Sequence, residues 1–291
     1  MNDKISVVIP VYQEELTHIQ QSINSIKNQT YSNMEILVGL DDPTNISAIK
    51  YLTQQEKNNT NFRLYINNDN LGLAENLNQL IHSATGTYIA RMDADDIAEK
   101  DRLEKQYKFL VANNLNFVSG AYDSIDEKGN IIKISHKRDL FNMDVRRIEK
   151  YGNILTHPLW LVSREILQNL KYRKVEPVED YDLIARAMLD RNVKFGYMGE
   201  SLLKYRIRDK SESHKNPVKS FMMTNRLANS IRKKQVMKIE VLNYFKTRGE
   251  IDKVLIEFLS ILNLIRYKII RIYVENFKKR KVIENDIEET S

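Results

Sequence analysis

Four apolar runs in the first 92 residues, each followed by polar residues and all but the last by an amphipathic stretch, limit what this chain can become. They are ISVVIPVY (Ile5–Tyr12), EILVGL (Glu35–Leu40), FRLYI (Phe62–Ile66) and TYIARM (Thr87–Met92). Runs this short and nearly continuous are strands buried on both faces. Between them, Leu16, Ile19, Ile23 and Ile26 recur at helical spacing, a weaker helix is predicted at Ile46–Leu52, and Leu73–Ser83 puts Leu77, Leu80 and Ile81 on one face. Strands alternating with helices predict an α/β fold with a mostly parallel sheet covered by helices. Ligands of such sheets sit beyond the carboxyl ends of the strands. Here those ends read Gln13-Glu14, Asp41-Asp42, Asn67–Asn70 and Asp93–Asp96.

After a predicted helix at Ala98–Asn113 the pattern changes. NFVSGAY and NIIKI flank DEKGN, a hairpin turn around Gly129. ILTHPLWLV (Ile154–Val162) reads as a strand and Val178–Asp190 as a helix; beyond Pro217 the pattern is helical, with Gly249 the only glycine. A boundary there divides residues 1–215, in halves 1–97 and 98–215, from a helical region 216–291 with a disordered end.

The chain has no cysteine, which excludes disulfides, thiolate zinc sites and a cysteine nucleophile. The pattern starts on a strand without a leader, and no window reaches the roughly 18 uncharged apolar residues of a membrane span. A net charge of +6 suggests an anionic partner. Nucleic acid is disfavoured, because no helix-turn-helix, zinc finger or aromatic RNA-binding signature accompanies the charge. G-x-G-x-x-G and G-x-x-x-x-G-K-[ST] are both absent, which disfavours nicotinamide and P-loop chemistry.

Asp93, Asp95 and Asp96 crowd three carboxylates at a strand end. An acidic helix cap, with Asp95 or Asp96 before Ile97, accounts for one or two of them. Asp93 lies outside that explanation, whereas Mg²⁺ or Mn²⁺ takes carboxylate oxygens and shares its coordination with substrate phosphates. On the motif alone both readings stand.

The words ISVVIPVYQEE, SINSIKNQTYSNMEILVGLDD, NLGLAENLNQLIHSATGTYIARMDADDIAEKDRLEKQ and VEDYDLIARAM occur in that order. Together they resemble the family 2 inverting glycosyltransferases of GT-A fold, above all those that build bacterial capsule and other surface polysaccharides. The resemblance spans roughly residues 4 to 210 and is most specific at Thr87–Gln106. It implies a hexosyltransferase moving sugar from a UDP-sugar, with Mn²⁺ or Mg²⁺, to a hydroxyl of a lipid-linked glycan. Pro10, Tyr12 and Glu14 would hold the nucleotide base; Asp41, rather than Asp42, would pair with uracil, although DDPT replaces the commoner Asp-Gly-Ser. Asp95 would bind the metal and Asp93 the ribose or donor sugar, as a second ligand. Asp96 reads as a helix cap, and Arg91 either sits near the phosphates or pairs with an acid.

In EPVEDYDL the bland reading is an acidic first helical turn; the resemblance singles out Asp180 as general base, with Glu179 positioning acceptor or base. His157 and Trp160 would line the acceptor cleft. In KYRIRDKSESH, Arg206 and Arg208 would clamp phosphate, and Arg208 stands where the family often has a histidine, which leaves His214 as a fallback metal ligand. The tail carries seven basic residues against one acid between Arg266 and Lys281. Its pattern fits an interfacial helix or a helix packed in a homodimer or on its own domain; a lipid-linked acceptor favours a cytoplasmic protein peripheral on the membrane's inner face. A catalytically dead nucleotide- or glycan-binding scaffold is the alternative, with nucleotidyl transfer behind it.

Overall fold

The computed structural model describes residues 3–135, 137–208 and 217–243, together with Ile265, Ile269 and Ile272. Four strands, β1 (Ile5–Val11), β2 (Met34–Leu40), β3 (Phe62–Ile66) and β4 (Tyr88–Arg91), alternate with α1 (Leu16–Lys27), α2 (Ile46–Asn58) and α3 (Leu73–Ser83). The strands lie in the order β3-β2-β1-β4, all parallel. The chain steps outward from β1 to β3 under α1 and α2, then crosses back on the opposite face through α3. β1 alternates accordingly: Ile5, Val7, Ile9 and Val11 join the core with Ile19, Ile23 and Ile26 of α1, while Val8 joins the core with Leu77 and Leu80 of α3. The reversal of strand order between β1 and β4 opens a crevice beyond their carboxyl ends.

One close approach fixes α3 on the sheet. A Cβ on Gly39 would lie 2.0 Å from Asn76 Oδ1, and Asn76 Nδ2 donates to the Gly39 carbonyl at 2.9 Å. Only a residue without a side chain lets the helix come this near.

The second half continues the same sheet through β5 (Ile97–Ala98), α4 (Arg102–Ala112), β6 (Phe117–Ile125), β7 (Ile131–Lys133), β8 (Leu140–Phe141) and α5 (Asn142–Ile148). It ends with β9 (Leu161–Ser163), α6 (Arg164–Leu170), α7 (Glu179–Ala187) and β10 (Phe195–Arg206). The main path is β3-β2-β1-β4-β9-β6-β10-β5, along which β9 and β5 run against the rest. Off this path β7 and β8 pair antiparallel with β6 and β10, so the sheet is mixed but mostly parallel, as the alternation predicts. The DEKGN turn is the expected hairpin, with β7 antiparallel to β6 and Gly129 at φ +91°.

Three local readings need correction. The helix predicted from Ala98 starts at Arg102, because Ile97 and Ala98 pair with Lys204 and Leu203 of β10. The predicted strand Ile154–Val162 is a 3-10 turn at His157–Leu159 followed by β9, because Pro158 has no N–H for a ladder. Trp160 is core: it is fully buried, its Nε1 donates to the Leu155 carbonyl at 2.8 Å, and its ring packs on Phe117 and Tyr172. It is therefore withdrawn from the acceptor cleft.

Beyond Arg208 the next described helix, α8 (Pro217–Lys233), places Met223, Leu227, Ala228 and Ile231 in the same core as Leu183 and Ile184 of α7. A short α9 (Ile239–Asn243) follows it. Among the described residues no helix is long and apolar enough to cross a membrane.

Candidate active site

A cavity of about 950 Å³ opens where β1, β2 and β4 end, and continues to the start of α7. Asp93 and Asp95 line its floor, with Asp96 buried beside them. Carboxylate oxygens of Asp93, Asp95 and Asp96 lie within 4.8 Å of one another. Arg91 Nη2 pairs with Asp93 Oδ1 at 2.5 Å, and Arg208 Nη2 with Asp95 Oδ2 at 2.7 Å. Of the two readings left open for Arg91, this is the pairing with an acid, and the side chain is buried as it does so. Burial, then the nearby Asp93 charge, push the Asp95 carboxyl up to about 7. Burial also raises Glu14, whose carboxylate accepts the Tyr12 amide at 2.7 Å. Carboxylates this crowded and desolvated favour a bound cation.

Asp96 is not the helix cap expected of it. Asp101 precedes α4, while Asp96 Oδ1 accepts the Arg206 backbone amide at 2.8 Å and pins the end of β10. Its other oxygen is buried without a partner, and burial raises this carboxyl well above the usual range. An orphaned acceptor beside two further carboxylates fits a hard divalent cation, for which Asp93, Asp95 and Asp96 are the available ligands.

Arg206 is likewise reassigned, from a phosphate clamp to a brace. Its Nε donates to the Asp95 carbonyl, Nη1 to the carbonyls of Asp126 and Glu127, and Nη2 to Gln21 Oε1, at 2.7–3.0 Å. Four of the five N–H groups of a guanidinium thus have protein acceptors, tying the Asp95 loop to the β6–β7 hairpin. Arg208 remains on the cavity wall.

At the nucleotide end, Pro10 and Tyr12 line the cavity, and Tyr12 is 40% exposed. Asp41 is buried and accepts Asn67 Nδ2, Leu71 N and Gly72 N at 2.8–2.9 Å. Three of its about four acceptor positions are filled, so it shapes the loop before α3, where Gly72 takes φ +81°. Asp42, outside the cavity lining, accepts Thr44 N at 2.9 Å and Thr44 Oγ1 at 2.6 Å in an Asx turn.

On the opposite wall α7 begins with Glu179 and Asp180. Asp180 Oδ2 accepts Asn153 Nδ2 at 2.8 Å, and its Oδ1 accepts the Tyr181 amide at 2.6 Å. Burial raises Asp180 from its ordinary value, with the Tyr181 amide the first influence opposing it. Glu179 has an oxygen buried without a partner and is pushed up to about 8 by burial and then by the Asp180 charge. Asp182, by contrast, is fully buried between Arg173 and Arg186 and belongs to the helix packing. His157 lies at the cavity edge with Nε2 2.7 Å from Tyr172 Oη, and burial holds it well below its usual range, in the neutral form. His214 lies outside the described residues.

Two supports have no signal in the sequence. Asn153 sits in an unpatterned loop, and Glu149, at the end of α5, is fully buried with Oε1 accepting Ile154 N and Leu155 N. Burial pushes Glu149 up to about 8. It fixes the loop that carries Asn153 to Asp180.

Residues 6–171 match the family described as Glycosyl transferase family 2. The O-antigen biosynthesis glycosyltransferase WbnJ of Escherichia coli is 32% identical over 212 residues, 72% of this chain and 82% of that one. The UDP-Glc:alpha-D-GlcNAc-diphosphoundecaprenol beta-1,3-glucosyltransferase WfgD of Escherichia coli is 31% identical over 215 residues, 72% and 79% of the two chains. Among solved structures, S. aureus TarS 1-349 in complex with UDP-GlcNAc superposes with a TM-score of 0.63 at 16% identity, over 82% of this chain and 69% of that one. That likeness establishes the GT-A-like fold, and the acidic cluster after β4 is consistent with the D-x-D metal-binding motif of such enzymes. With more than half its length matched by the family, and with relatives 32% and 31% identical over 72% of it, the chain belongs to glycosyltransferase family 2.

Proposed function

We propose that this protein transfers a hexose from a UDP-sugar to a hydroxyl of a lipid-linked surface glycan, inverting the anomeric centre in a single displacement. The observation that carries this reading is the Asp180 carboxylate. It is held at both oxygens by Asn153 and the Tyr181 amide, on the wall of the same cavity that Asp93 and Asp95 line. Asp95 and Asp93 would hold Mn²⁺ or Mg²⁺, which when bound neutralises charge on the departing diphosphate. Pro10, Tyr12 and Glu14 would receive the base, and the free acceptor position of Asp41 would receive a uracil N–H.

Asp180 suits the general base. As the acceptor oxygen bonds to the anomeric carbon, its proton passes to the Asp180 carboxylate, and the bond to the diphosphate breaks with its electron pair leaving on the diphosphate. Glu179, pushed up to about 8, is protonated at neutral pH and would position the acceptor as a donor. The WbnJ and WfgD relatives, one of O-antigen biosynthesis and one acting on a diphosphoundecaprenol acceptor by name, support the acceptor class.

Thermal denaturation against a set of nucleotide-sugars, with and without Mn²⁺, tests the donor. A UDP-sugar at roughly a hundred times its Kd should stabilise by about 2.7 kcal/mol and raise Tm by roughly 5 °C or more, only with Mn²⁺ present. No shift with any UDP-sugar would rule out this donor class.

Membrane attachment is proposed for the C-terminal region. Ile265, Ile269 and Ile272 are helical, spaced as one face, and each about half exposed; the basic run around them lies outside the described residues. Truncation after Asp252 should move the protein from anionic vesicles to the supernatant. If the truncated protein still sediments with the vesicles, the attachment lies elsewhere.

A further inference from the structure

Two cations already sit on the carboxylates assigned to a metal. Arg91 pairs with Asp93 from inside the sheet, with its backbone amide bonded to the Trp160 carbonyl, and is fixed in place. Arg208 pairs with Asp95 from beyond the end of β10, with its side chain about a third exposed. A guanidinium has no lone pair and cannot ligate a metal. Arg208 is therefore a competitor for the Asp95 oxygen and not a ligand beside it.

Charge bookkeeping shows what the competition does. Arg91 pairs with Asp93 at 2.5 Å and Arg208 with Asp95 at 2.7 Å, so each of these two carboxylates already faces a guanidinium. A divalent cation gains little attraction from a balanced pair of ion pairs until one guanidinium departs, and only Arg208 is placed to depart. The pyrophosphate of a nucleotide donor then brings fresh negative charge to the same wall, and Arg208 lines that cavity. Resting on the donor-site reading above, we infer that Arg208 is the resident counter-ion of the cation site. It neutralises Asp95 while no divalent cation is bound and transfers to the donor diphosphate when one binds. Cation and donor are thereby coupled through one side chain, since each pays for the displacement that favours the other.

The test is a pair of titrations on the full chain: Mn²⁺ alone by electron paramagnetic resonance, and UDP at saturating Mn²⁺ by calorimetry. Arg208→Gln should bind Mn²⁺ alone roughly two- to fivefold more tightly than the parent. It should bind UDP roughly tenfold less tightly. Opposite signs in one variant are the signature. A residue that only clamps phosphate would weaken UDP and leave Mn²⁺ unchanged, and one that only supports the loop would weaken both; either result overturns the inference. Asp95→Asn should remove Mn²⁺ binding in either background. If parent and Arg208→Gln both fail to bind Mn²⁺, with or without UDP, the donor-site reading itself is wrong and the counter-ion role falls with it.

Discussion

Asp180→Asn is expected to lower kcat roughly 10²–10⁴-fold, the usual contribution of a positioned general base, while UDP and Mn²⁺ bind within about twofold of the parent. Asparagine is nearly isosteric, and its carbonyl oxygen can still accept one of the two hydrogen bonds now made by Asn153 and Tyr181, so the wall should keep its shape. The pH profile adds a second readout. Transfer needs the ionised carboxylate, and burial raises the Asp180 pKa, so the parent's kcat/KM should fall as pH drops through that raised value. The variant should lose this acid limb. If Asp180→Asn turns over at the parent rate, the base lies elsewhere.

Asp95→Asn should have the opposite phenotype, losing Mn²⁺-dependent UDP binding by about a hundredfold or more, in line with the loss of a charged metal ligand. Stability supplies an independent check. The folded-state pKa of Asp95 is raised to about 7, above its unfolded value, so the fold favours the protonated form. That preference is fully present below the unfolded pKa and is lost as pH rises through the folded one. Without metal, Asp95→Asn should therefore melt at a higher temperature than the parent at pH 8, with the difference vanishing near pH 4. UDP binding that still responds to Mn²⁺ as in the parent would remove Asp95 from the metal site.

The division between what was legible and what was not follows the range of each interaction. β1 and β2 are legible because strands buried on both faces are continuously apolar, whereas β3 is only partly buried. Asp93, Asp95, Asp41 and Asp180 stand where elements begin or end, and their expected roles follow from the family resemblance rather than from that position. Asp96 and Arg206 were misread for one shared reason. Asp96 accepts an amide 110 positions away, and Arg206 reaches carbonyls 79 and 80 positions away, and no local pattern encodes partners so distant. Trp160 was misplaced because a tryptophan beside His-Pro reads alike whether it lines a cleft or fills a core. Asn153 and Glu149 carry no signal at all, since their importance lies in which backbone groups they meet. The start of α4 is expected at Ala98 instead of Arg102 because a two-residue strand is too short to show a period.

β9 has a consequence for how the protein must be made. It is three residues long, and it is inserted antiparallel between β4 and β6. The edge of β4 therefore stays open from the time Arg91 leaves the ribosome until Ser163 does. A nascent chain halted between these points presents an unpaired, apolar strand edge to its neighbours. Its synthesis should thus be most vulnerable to aggregation over the stretch between Arg91 and Ser163.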